Sequence, residues 1–71
     1  MPMVNIKIVR EALAADPEAK KAAIAEKVAA AISTATGLPK TSVWVVFDEV
    51  AAKDWYVGDE SVAAMRSRSG G

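Results

Sequence analysis

The sequence predicts an α+β subunit of β–α–β form that must assemble with further copies to complete its core. Three observations carry this. Two short segments, residues 4–9 and 41–50, are rich in β-branched side chains. A long alanine-rich stretch with helix start and stop signals lies between them. The second strand is apolar on both faces, so one helix leaves a face of the sheet uncovered.

Residues 4–9 alternate. Val4, Ile6 and Ile8 point one way, Asn5 and Lys7 the other, which is the period of a strand. Pro2 precedes it, at a position where no ladder donor is required. Residues 10–15 are read as a connection able to make a helical turn. Asp16, Pro17 and Glu18 then open a helix: a cap, a first-position proline and an acid at the positive end of the dipole. Ile24, Val28, Ala31, Ile32 and Ala35 share one face, with Glu26 and Ser33 roughly opposite. Gly37 is the expected C-cap, and Pro39 prevents continuation. In the second strand Val43, Val45 and Phe47 share one face, and Trp44, Val46 and Asp48 the other. The two strands are expected to be parallel, with a right-handed crossover. Residues 53–59 read as a short hairpin or turn. The last residues, ending Ser-Arg-Ser-Gly-Gly, are flexible in composition. The expected division is one domain over 1–60 and a tail over 61–71.

Composition narrows the function. The chain has 71 residues and a formal net charge of zero, which argues against a partner rich in phosphate, whether nucleic acid or anionic membrane. It has no Cys and no His, so thiol chemistry, imidazole acid–base chemistry and the usual zinc sites are excluded. The longest apolar runs, Val28–Ile32 and Val43–Phe47, fall far short of the roughly 20 residues of a membrane span. No secretory signal is visible, and the expectation is a cytoplasmic protein. Hydrophobic residues make up 52% of the chain, but fifteen of them are alanine and only four are aromatic. A chain this small buries only about 60% of its unfolded surface. Without disulfide or metal, subunit interfaces must supply much of the core.

Few residues can carry chemistry. There is no glycine-rich phosphate loop. The adjacent carboxylates Asp48–Glu49 and Asp59–Glu60 read as solvated strand-end and turn charges, since neighbours on a strand point apart. The unusual feature is Met1-Pro2 leading directly into a strand. Removal of Met1 leaves Pro2 with a free secondary amine. An α-amine titrates at about 7.7–8.0 in model peptides. Burial or a nearby cation lowers that value and makes a general base near neutral pH.

Taken together, Pro2-Met-Val-Asn-Ile-Lys-Ile, the single helix, Leu38-Pro39-Lys-Thr-Ser-Val43, Phe47-Asp-Glu-Val50 and Asp54-Trp55-Tyr-Val-Gly58 resemble the 4-oxalocrotonate tautomerase family over about residues 2–60. The resemblance implies a β–α–β subunit with a C-terminal hairpin. It implies a dimer with a four-stranded sheet backed by two helices, and three dimers forming a homo-hexamer. It also implies a cofactor-free tautomerase in which the amino-terminal proline, here Pro2, moves a proton between enol oxygen and carbon of a small 2-oxo acid. The active sites form between subunits.

The departures from the family pattern sharpen the expectation. Members specific for 4-oxalocrotonate carry a Gly-Arg pair after the first strand. Here that loop is about four residues longer and lacks the pair, with Ala12 or Asp16 at the arginine's place. Arg10 is the nearby cation, and it competes between carboxylate binding and an exposed strand-end charge. Arg10 and the backbone amides near Val9 are the expected donors to the enolate. The family's second arginine aligns with Trp44, which packs between subunits or lines the site and cannot replace a bidentate charge pair. The aromatic wall of the proline pocket aligns with Trp55. Val57 stands where water-adding relatives have a carboxylate, which argues against water addition. A non-catalytic subunit on the same scaffold, and decarboxylation or other carbonyl chemistry through Pro2, remain the alternatives.

Overall fold

A computed structural model describes residues 1–69; Gly70 and Gly71, part of the expected flexible ending, lie outside the described residues. Strand β1 spans Met3–Val9 and strand β2 spans Trp44–Val50. They pair in parallel, from Met3 opposite Trp44 to Val9 opposite Val50. Helix α1, Pro17–Thr36, makes the crossover. Strands β3, Tyr56–Val57, and β4, Glu60–Ser61, form an antiparallel hairpin. Its two-residue loop starts at Gly58, whose φ of 65° suits glycine. Helix α2, Val62–Arg68, follows at once.

The ends of α1 are set locally. The Asp16 carboxylate accepts from the Ala19 amide at 3.2 Å, and Pro17 takes the first position. Gly37, at φ 80°, closes the helix through its amide to the Ser33 carbonyl at 2.8 Å. The buried face differs slightly from the expected one. Ile24, Val28 and Ile32 are half-buried as expected, joined by Lys21, Ala25 and Ala29, while Ala31 and Ala35 are exposed. Ser33 is half-buried rather than opposite the core, because its hydroxyl donates to the Leu38 carbonyl beyond the helix end.

Strand β2 starts at Trp44, three residues later than residue 41. Lys40–Ser42 form a turn of 3-10 helix instead. The Pro39 carbonyl accepts from both the amide and the hydroxyl of Ser42, so the chain satisfies itself there and does not join the ladder. The larger difference is at the C-terminus. Composition gave no element after the hairpin, yet residues 62–68 are helical. Ser61 caps them, its hydroxyl accepting from the Ala64 amide at 3.1 Å.

The sheet has one covered and one open face. Val4, Ile6, Ile8, Val45 and Phe47 are half-buried on the α1 side. Met3 is 63%, Trp44 54% and Val46 39% exposed on the other. Only Leu13, Ala51 and Ala52 are buried among the described residues. The molecule is a slab of 43 × 26 × 16 Å with a radius of gyration of 14.9 Å. A compact chain of this length would have about 11 Å. Sheet and helix form two layers, and a third is needed to cover the open face.

Candidate active site

Pro2 sits where β1 begins. It is half-buried, and its carbonyl accepts from the Trp44 amide at 3.0 Å. That bond extends the β1–β2 ladder by one rung. Met3 lies opposite Trp44 in register, so Pro2 and Trp44 share one end of the sheet. The Trp44 side chain lies on the open face.

Val9 and Arg10 mark the other end. Seven residue steps along the strand lead from Pro2 to Val9, a distance of about 23 Å at roughly 3.3 Å per residue. Trp55 belongs to this far end as well. Val9 pairs with Val50, and the chain then turns through a 3-10 segment, Ala52–Asp54, directly into Trp55. The Trp55 carbonyl accepts from the Val62 amide at 2.7 Å, which anchors it to the start of α2. One subunit therefore brings Pro2 to Trp44, and Arg10 and Val9 to the Trp55 end, but keeps the two groups apart.

The far end is the more closely packed of the two. Arg10–Leu13 form a turn of 3-10 helix that buries Leu13 to 2% exposure. The Glu11 carboxylate accepts from the Ala52 amide at 2.8 Å, tying this turn to the one before Trp55. That hydrogen bond, with lesser help from the Arg10 and Arg66 charges, holds the Glu11 carboxyl below its usual value. The sequence reading missed Glu11 because its partner is 41 residues away. It missed Arg66 because α2 was read as tail; the available signal was Ser61 followed by the helix-forming run Val62-Ala-Ala-Met65. Elsewhere, Lys21 reaches from α1 to Glu49 on the covered face of β2, and that hydrogen bond raises the Lys21 pKa.

Comparison with known proteins agrees with this fold. The family model described as tautomerase enzyme matches residues 2–65. A probable tautomerase, K2, of Dickeya dadantii is 38% identical over 69 residues, 97% of this chain and 98% of its own length. The crystal structure of DmpI from Helicobacter pylori is 30% identical with a TM-score of 0.79, covering 93% of this chain and 97% of that one. A 4-oxalocrotonate tautomerase isozyme of Methylibium petroleiphilum is 31% identical with a TM-score of 0.76, over 90% and 97% of the two chains. The match spans both strands, α1, the hairpin and half of α2, and the chain belongs to the tautomerase family.

Proposed function

We propose that this chain is a cofactor-independent tautomerase interconverting enol and keto forms of a small 2-oxo acid, with Pro2 as general base once Met1 is removed. The observation that carries it is the division of the candidate site between the two ends of β1. A second subunit running antiparallel along β1 sets Pro2 of one beside Val9, Arg10 and Trp55 of the other. The same pairing makes the four-stranded sheet with two helices on one face. The open face, with Met3, Trp44 and Val46, then joins three such dimers into a hexamer.

The chemistry follows from those placements. The neutral Pro2 nitrogen takes the proton of the enol hydroxyl. The resulting enolate spreads its charge onto oxygen and the distant carbon. The partner subunit's Arg10 and the amides near Val9 face that charge and the adjacent carboxylate. The protonated proline then returns its proton to carbon, giving the keto acid and the free base. Trp55 excludes water from the proline, which disfavours its charged form and keeps it neutral near pH 7.

Trp44, beside Pro2, offers no charge to a second carboxylate. Monocarboxylate enols are therefore the preferred substrates. A charge-assisted contact contributes about 1.5–3 kcal/mol, so the dicarboxylate should lose roughly ten- to a hundredfold in kcat/KM. Assays with phenylenolpyruvate and 2-hydroxymuconate on Met1-free protein test this. Faster turnover of 2-hydroxymuconate would assign the distal carboxylate to another cation. No turnover of either supports the second reading, a non-catalytic subunit, which the tryptophan at the cation's place favours.

A further inference from the structure

We propose that Glu11 is a positioning residue of this site: its carboxylate clamps the Arg10–Leu13 turn to the Ala52–Asp54 turn, so that Arg10 and Trp55 face the substrate as one rigid unit. The inference rests on the proposed function above and deepens it.

Arg10 and Trp55 lie in segments more than forty residues apart, each a short turn with little regular structure of its own. The Ala52 amide is the first of its turn and has no carbonyl partner within it. Ala52 is 3% exposed, so an unpaired amide there would be costly. Glu11 Oε1 fills that need at 2.8 Å. Arg10 is the residue immediately before Glu11. Trp55 follows one turn after Ala52, its amide donating to the Ala52 carbonyl at 3.4 Å. Leu13 in the first turn and Ala51 just before the second are both buried. One hydrogen bond thus links the backbone that carries the cation to the backbone that carries the aromatic wall.

The groups around Glu11 agree with a role at the site. Arg10 and Arg66, from the turn and from α2, both act on its carboxylate and favour its charged form. Neither guanidinium makes an ion pair among the described residues, so Arg10 stays available to a ligand. A clamp acting through the backbone holds Arg10 in place without occupying its fork.

The test titrates the Pro2 nitrogen by 15N NMR in Met1-free protein. Wild type is compared with Glu11→Gln, Glu11→Asp and Glu11→Ala, with kcat/KM followed in parallel. The signs separate the clamp from the charge. Losing the carboxylate charge alone lowers the proline pKa, because an anion favours the protonated amine. Losing the clamp raises it, because Arg10 recedes and Trp55 loosens. Gln keeps an acceptor of the right length without charge; Asp keeps the charge but falls short of Ala52; Ala keeps neither. The expected order is Ala and Asp above Gln by about one pH unit, with kcat/KM near pH 7 lower by about tenfold in Ala than in Gln. Light scattering establishes that each variant assembles as wild type does. If Ala fails to assemble, the comparison of Asp with wild type decides, since both keep the charge and only the clamp differs; Asp should titrate above wild type. Ala titrating with Gln or below it, and Asp with wild type, overturns the role of Glu11 and leaves Pro2 as base. An ordinary α-amine value in wild type, with no turnover, overturns the Pro2 reading and the clamp with it.

Discussion

Ala15 and Asp16 both adopt positive φ, 62° and 67°, just before α1. Asp16 precedes Pro17, whose ring excludes the right-handed helical region from its neighbour. Asp tolerates the left-handed alternative, and its carboxylate gains the cap at Ala19. Ala15 gains nothing comparable. A left-handed alanine costs about 1–2 kcal/mol, and glycine returns roughly 0.5–1 of that as chain entropy. Ala15→Gly should therefore raise stability by about 0.5–1 kcal/mol in urea unfolding. Glu11 acts with a different signature. Its folded-state pKa is depressed, so its contribution is present above the ordinary carboxylate value of 4.5 and is lost as pH falls through the lowered one. Lys21 is the mirror case: its pKa is raised above 10.5, so its contribution is lost as pH rises through the raised value. Denaturation midpoints measured across the acid range should fall less steeply in Glu11→Gln than in wild type.

Among the elements, α1 was readable because its signals are local. Asp16, Pro17, Gly37 and Pro39 act within a turn of where they stand. Helix α2 was not read, since Ser61–Met65 carries a cap and a weak apolar run inside a stretch whose end is rich in Ser, Arg and Gly. Its cap is testable. Ser61→Ala should cost about 1 kcal/mol of stability. Because α2 also anchors the Trp55 carbonyl, near-ultraviolet circular dichroism of the tryptophans should weaken in the same variant. Candidate residues were readable one by one, from type and order. Their separation followed from the parallel pairing and the length of β1, and Glu11's partner from neither. A contact between residues 11 and 52 depends on how two irregular turns pack, and no periodicity encodes that.

At the scale of the molecule, the thin slab and the three buried residues among those described mean that an isolated subunit holds little of its own core. Its open sheet face carries Met3, Trp44 and Val46 beside the Lys7–Asp48 ion pair. Light scattering should give a particle of several subunits, expected to be six. Val46→Asp, which places a charge on that face, should yield a smaller particle, because a desolvated unpaired charge is costly. A well-folded wild-type monomer at micromolar concentration would contradict the assembly.

Only a free Pro2 nitrogen can act as the base, and the two N-terminal forms of the protein separate the possibilities. Protein shown by intact mass to lack Met1 is assayed with phenylenolpyruvate across pH, beside protein that retains Met1. The Met1-free form should show a rate that rises through a single ionisation below the ordinary α-amine value. The Met1-retaining form, in which the Pro2 nitrogen is an amide, should assemble equally well and have no measurable activity. Equal rates in the two preparations would show that Pro2 is not the base.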